Sequence, residues 1–238
     1  MIKTVNLTKK FGDFTAVNNL NLEIFDGELF SLLGVNGAGK TTTIKMLTTL
    51  TTPTFGKIYY NGENIKDNPE KIKNAMNLSP QETAIASNLT VKENLKFISG
   101  VYQIENSDKK VEELISLFSL IEFENKKAGT LSGGLKRRLS IAMALINEPK
   151  VLFLDEPTLG LDVISRRELW KIIKSLKGKT TIILTTHYME EAESLSDRVG
   201  IMSKGELNFV GTVEEIIKTS GESNFENAFI KFATENKI

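Results

Sequence analysis

One stretch constrains this chain more than any other: Gly34-Val35-Asn36-Gly37-Ala38-Gly39-Lys40-Thr41-Thr42, which satisfies the pattern G-x-x-x-x-G-K-[ST] at every fixed position. The apolar run Leu29-Phe30-Ser31-Leu32-Leu33 precedes it and Thr43-Ile44-Lys45-Met46-Leu47 follows it. This spacing predicts a buried strand entering the loop and a helix leaving it. Glycines let such a loop wrap closely with its N–H groups turned inward, and the helix N-terminus adds partial positive charge. A chain built this way has a strand, loop and helix at the centre of an α/β sheet, and the loop is suited to a triphosphate.

Length and charge bound the remainder. The 238 residues suffice for one large α/β domain, or a core with a subdomain, and 40% apolar content fills a substantial core. Thirty basic residues balance thirty acidic ones, which argues against a broad surface for nucleic acid or anionic membrane. There is no cysteine, so disulfides, thiolate metal sites and cysteine nucleophiles are excluded. The opening Met1-Ile2-Lys3-Thr4-Val5-Asn6-Leu7 alternates like a strand and lacks the apolar region of a secretory signal. No run approaches the length of a spanning helix, so a membrane role would come through a partner.

Along the chain, Ile2 to Leu7, Phe14 to Val17, Leu20 to Phe25 and Leu29 to Leu33 are short apolar or alternating segments broken at Gly12-Asp13 and Asp26-Gly27. They predict an antiparallel opening. Lys57-Ile58-Tyr59-Tyr60 continues as a strand with its turn at Asn61-Gly62, and Pro69 suits the start of a short helix. From Thr83 to about Asn147 the apolar spacing turns helical, over Val91 to Gly100, Lys109 to Leu120 and Leu135 to Ile146. The expected organisation is a catalytic core with β-subdomain over 1–82 and 148–238, and a helical subdomain inserted at 83–147. The core resumes at Val151, continues as helix and strand over Ser165 to Leu176 and Thr180 to Thr185, and ends in a helix whose Phe225, Phe229 and Phe232 share one face.

Val151-Leu152-Phe153-Leu154-Asp155-Glu156 is the second chemical motif, four apolar residues that run into two adjacent carboxylates. Its strand is expected to neighbour the phosphate-loop strand. Asp155 would then face Thr41 across a divalent cation, and Glu156 would stand one step beyond, placed to accept a proton from an attacking water.

With Leu131-Ser132-Gly133-Gly134-Leu135-Lys136-Arg137-Arg138 between these two motifs, the chain resembles a nucleotide-binding subunit of an ATP-binding cassette (ABC) transporter. The resemblance covers nearly the whole sequence. It implies a P-loop NTPase α/β core with an N-terminal antiparallel β-subdomain and an inserted helical subdomain. It also implies Mg²⁺-dependent ATP hydrolysis and a head-to-tail pair with a second ABC subunit, identical or not. In that pair Ser132, Gly133 and Gly134 would bind the γ-phosphate of ATP held by the other copy.

Other positions follow from the same resemblance, one at a time. Asn36, Gly37, Ala38, Gly39, Lys40, Thr41 and Thr42 match the phosphate cradle. Gln81, after Ser79-Pro80, matches the glutamine that joins Thr41 and Asp155 as a Mg²⁺ ligand. His187, the one histidine of the chain, matches the switch histidine that orients the water-activating group. Leu159-Gly160-Leu161-Asp162 matches a dimer-contact loop ending at Asp162. Phe11 falls where the family stacks an aromatic ring on adenine, with Val17 walling the base. For Lys136, Arg137 and Arg138 the family pattern implies that the last supports the signature loop, while the others lie on a solvated face or near a partner.

Thr52-Pro53-Thr54-Phe55-Gly56 and His187-Tyr188-Met189-Glu190-Glu191-Ala192-Glu193 are nearest to bacterial multidrug, antibiotic and sodium exporters, although Phe55 stands where many members have a small residue. The implied setting is the cytoplasmic face of the cell membrane, attached peripherally to a separate integral-membrane permease, with no nucleic acid. Two alternatives stay open: a soluble cassette ATPase of translation or DNA repair, which predicts tandem cassettes or long coiled-coil insertions, and a nucleotide-gated module without hydrolysis, which predicts loss of Glu156 or His187.

Overall fold

The structure, a computed structural model, describes residues 1–234. The antiparallel opening forms as a hairpin of two long strands, β1 (Ile2–Phe11) and β2 (Phe14–Ile24). Phe14 to Val17 and Leu20 to Ile24 join into one strand because Asn19 takes a left-handed turn (φ 49°) that absorbs the irregularity without ending the ladder. Leu29–Leu33 (β3) leaves this hairpin layer: all five of its residues are buried, as in a strand covered on both faces, and it enters the central sheet. β4 (Phe55–Tyr60) and β5 (Glu63–Asn64) complete the first sheet in the order β2-β1-β4-β5.

Six strands form the second sheet, ordered β10-β9-β3-β8-β7-β6, from β6 (Met76–Ser79), β7 (Val151–Asp155), β8 (Thr181–Thr186), β9 (Arg198–Ser203) and β10 (Glu206–Gly211) with β3. All its neighbours pair in parallel except the edge hairpin β9/β10, closed by Lys204-Gly205, both at positive φ. One expectation is corrected here. The carboxylate strand β7 does not adjoin β3, because β8 lies between them and pairs with both.

Helices cover both faces. α1 (Lys40–Leu47) follows the phosphate loop, and α2 (Pro69–Asn74) begins on its proline. Between β6 and β7 lie α3 (Val91–Val101), α4 (Ser107–Leu117) and α5 (Gly133–Ala144), matching the helical spacing in 83–147. Thr90 and Glu93 start α3 with a reciprocal capping box. α6 (Val163–Leu176), α7 (Met189–Leu195), α8 (Val213–Ser220) and α9 (Phe225–Thr234) follow.

Alternation along β7 shows how the core divides. Leu152 and Leu154 point into a cluster with the helices α3, α4, α5 and α6, whereas Val151 and Phe153 point into one shared with the hairpin layer and α1. The α3–α5 insertion is therefore fused to the sheet through one apolar cluster, with α5 against both β6 and α6. Phe225 and Phe229 bury in a third cluster against β9, with Phe232 half-buried beside them, so this face packs on the parent domain.

Candidate functional site

The phosphate loop turns between β3 and α1, and its shape depends on glycine. Gly39 precedes α1 at φ 103°, and a Cβ there would stand 2.5 Å from the Ala16 carbonyl oxygen. Gly37 sits at φ 80° with nothing within 4 Å of where a Cβ would be, so its backbone faces open space. That space is a cleft of about 470 Å³ lined by Asn36 through Thr42, with Phe14, Ala16, Gln81, Glu156, Leu159 and His187. Its size lies in the range of small-molecule sites.

Charged groups converge at the floor of the cleft. Lys40 is buried, and its Nζ donates to the carbonyl oxygens of Gly34 at 2.7 Å and Val35 at 3.3 Å, while standing 3.2 Å from Glu156 Oε1. The other carboxylate oxygen, Oε2, lies 2.8 Å from His187 Nδ1. Glu156 therefore joins the lysine to the histidine. Its backbone takes a left-handed conformation at φ 48°, sparsely populated for a residue with a Cβ, just past the end of β7. Asp155, also buried, accepts from Thr41 Oγ1 at 3.2 Å. Helix α1 thus carries Thr41 to the carboxylate even though β8 separates the two strands.

The intervening strand supplies a residue that sequence reasoning missed. Thr185 Oγ1 donates to Asp155 Oδ1 and accepts from the Glu156 N–H at 3.0 Å, so one hydroxyl orients both acids. Its signal was available: Thr185-Thr186 are the polar end of a strand whose middle, Ile182-Ile183-Leu184, is apolar, and a buried hydroxyl needs a partner.

Phe11, Val17 and Arg137 are placed differently from expectation. Val17 is 0% exposed and belongs to the core, because alternation along β2 turns Phe14 and Ala16 to the cleft instead. Phe11 does not line the cleft; it is 53% exposed, with Lys9 Nζ 5.0 Å from the ring centroid. Its cross-strand partner Phe14, 65% exposed, is the aromatic on the cleft wall. Arg137 is not on a solvated face but buried, donating only to main-chain carbonyls, and burial pushes its guanidinium down to about 10. Arg138 pairs with Glu168 on α6.

The signature residues lie apart from this cleft. Ser132 caps α5, its Oγ accepting from the Leu135 N–H at 3.4 Å, and Ser132 and Gly133 are exposed. Gly134 is held close to α6, where a Cβ would come within 2.9 Å of Ser165 Oγ. Asp162 caps α6, accepting from the N–H groups of Ile164 and Ser165 at 2.9 Å each, and the Ser165 N–H holds its carboxyl below the ordinary range. Glu191 is a further residue missed in sequence. It is fully buried four residues after His187 and accepts from Trp170 Nε1 at 2.9 Å, and burial pushes its carboxyl up.

A phosphate cradle, a buried lysine and paired acids at the C-terminal end of a parallel sheet define a P-loop nucleotide-binding fold. Residues 17–159 match the family model described as ABC transporter, and the chain belongs to that family. It is 43% identical over 217 residues to human phospholipid-transporting ATPase ABCA3, covering 89% of this chain and 13% of that protein. It is 39% identical over 239 residues to YbhF of Escherichia coli (strain K12), named a probable multidrug ABC transporter ATP-binding protein, covering 97% of this chain and 41% of that one. The chain thus spans less than half the length of these curated relatives. Among solved structures it superposes with a TM-score of 0.79 and 28% identity on a dimeric post-hydrolysis state of the ATP-binding cassette MJ0796 bound to ADP and Pi, covering 89% of this chain and 98% of that one.

Proposed function

We propose that this chain is the ATP-hydrolysing cassette of an ABC transporter, paired head to tail with a second cassette and driving a separate membrane permease. The observation that carries the reading is the contact set at the cleft floor, where Glu156 lies 3.2 Å from Lys40 and 2.8 Å from His187. A buried lysine with an acid beside it has two possible counter-anions. When a triphosphate enters, Lys40 turns its charge to the phosphate oxygens, and Glu156 is left with His187 to direct water in line. Asn36 through Thr42 hold the phosphates through backbone donors and side chains.

The donor set fits Mg²⁺. Thr41 Oγ1 and Asp155 Oδ1 are hard oxygens 3.2 Å apart, and Thr41 and Gln81 line the same cleft. Among the described residues no group of three or more histidines, cysteines or acids could hold a metal by itself. Mg²⁺ is commonly held by one or two carboxylates, here Asp155, with phosphate and water filling much of its sphere. Bound there, it would neutralise charge on the transferred phosphoryl group.

In this reading Ser132, Gly133 and Gly134 complete the ATP site of the partner cassette, which the dimeric form of the MJ0796 structure supports. Asp162 shapes the neighbouring loop, and Phe14, with Phe11 behind it, takes the adenine face. Segment 83–147 serves as the helical signature subdomain, and 1–82 with 148–238 as the catalytic core. Among the described residues no helix is long and apolar enough to cross a membrane; in this reading the permease is a separate segment or protein, and the cassette is proposed to work at the cytoplasmic face. The names of ABCA3, a phospholipid-transporting ATPase, and YbhF, a probable multidrug transporter subunit, support a lipid-like or drug-like compound as cargo, and export is the direction proposed for it.

Glu156→Gln tests the chemistry. ATP turnover should fall by about 10²- to 10⁴-fold while ATP binding is retained and ATP-bound dimers accumulate on gel filtration. Unchanged turnover would remove Glu156 from its role.

A further inference from the structure

Arg137 is a group that neither the phosphate chemistry nor the signature motif accounts for. It lies on α5, a little over one turn beyond the Ser132 cap, and is 4% exposed. A buried guanidinium ordinarily meets a carboxylate. This one meets main-chain carbonyls from two separate loops. Nε donates to Pro157 O at 2.9 Å and Nη2 to Asp155 O at 2.8 Å, while Nη1 donates to Pro80 O and reaches Gln81 O at 3.5 Å.

The pattern of acceptors matters more than their number. Asp155 and Pro157 are the residues on either side of Glu156, whose own backbone is held at the unfavourable φ of 48°. Two bonds from one rigid plane, one to the carbonyl of the peptide that enters Glu156 and one to the carbonyl of the proline after it, hold the backbone on both sides of Glu156. The third edge of the same plane fixes the Pro80-Gln81 stretch, which sets Gln81 on the lining of that cleft. Only a planar fork with donors on three edges satisfies such a set; a lysine ammonium is a point donor on a flexible stem.

From this geometry we infer that Arg137 is a positioning residue coupling the two half-sites of the cassette pair. The inference rests on the functional reading above. Ser132–Gly134 at the start of α5 face the partner's nucleotide, and Arg137 on the same helix grips the backbone of Glu156 and Gln81, which serve this chain's own nucleotide. A small displacement of α5 when the partner's phosphate docks is carried by Arg137 to both loops. Engagement in trans thereby sets the aim of the general base in cis. Arg137 touches no substrate and does its work through the peptide units it holds.

Arg137→Lys keeps the charge and removes the fork. Measured on the full chain, it should lower kcat for ATP by about tenfold or more while leaving the Kd for ATP within about threefold, a split that general destabilisation does not produce. Hydrogen exchange with Mg²⁺ and the non-hydrolysable analogue AMP-PNP reads the coupling itself. In the wild type, nucleotide should protect the amides of Gln81–Thr83 together with those at the start of α5. In Arg137→Lys the α5 and Lys40–Thr43 amides should stay protected and the Gln81–Thr83 response should be lost. Should Arg137→Lys not fold, Arg137→Gln, which keeps two donors, takes its place, and failure of both to fold overturns the inference in favour of a plain core role. Wild-type kcat with joint protection in the variant overturns it too, as does parallel loss of kcat and ATP binding. A wild-type chain without ATPase activity refutes the functional reading; an active wild type matched by an equally active variant refutes only the coupling.

Discussion

The phosphate cleft and the signature loop carry equally recognisable motifs yet are built in opposite ways. In the cleft every charged group has a partner within the chain: Lys40 with Glu156, Glu156 with His187, and Asp155 with Thr41 and Thr185. At the signature loop the bonds are local ones of a helix start, the Ser132 Oγ cap and the Ser132 carbonyl accepting from the Lys136 N–H at 2.9 Å, and Gly133 presents bare backbone to the surface. One site holds its own electrostatics in place, which costs buried charge and needs exact pairing. The other presents the anion-seeking backbone of a helix N-terminus at the surface. The contrast teaches that a motif whose neighbours do not explain it can find its explanation in a second molecule.

The sharpest way to break that comparison is Gly133→Asp. A Cβ at Gly133 meets nothing within 4 Å, and an acid in the first turn of a helix favours the helix, so the fold should be untouched. A negative charge aimed at the partner's phosphate should nonetheless cut turnover by about 100-fold, with the ATP Kd of the separated chain unchanged within about threefold. Turnover by a phosphate-release assay and Kd by calorimetry check both halves. Equal loss of binding would mean that the loop serves the chain's own cleft.

A smaller effect sharpens the cleft side. Phe14→Ala should weaken ATP binding by roughly tenfold, the worth of one ring stacked on a base with its buried area, and Phe11→Ala should weaken it less. The reverse order, measured by the same calorimetry, would return the base to Phe11 and assign the exposure of Phe14 to another contact.

Much of this was legible in the sequence because local chemistry decided it. Glycine at residues 37 and 39, the apolar runs of β3 and β7 and the helical spacing of 83–147 each follow from backbone sterics or periodicity. What was not legible depended on packing across the fold. That β8 enters between β3 and β7 is a choice of strand order, which no local pattern encodes, and it is the reason Thr185 rather than a neighbour in sequence positions the two acids. Strand phase turned Phe14 and Ala16, not Val17, to the cleft. Arg137 reads as surface charge beside Lys136 and Arg138, and its burial comes from the carbonyls of two distant loops.

The most direct test of the central claim, that this chain holds half of an ATP site and lends the other half to a partner, is complementation between two inactive variants. Lys40→Ala destroys the cleft and keeps the signature loop; Gly133→Asp keeps the cleft and destroys the loop. In a mixed head-to-tail pair one site carries both lesions and the other carries neither. Equimolar mixing should therefore restore ATP turnover to roughly a quarter of the wild-type rate, for independent sites and random pairing. A mixture no more active than the sum of its two components would contradict the account.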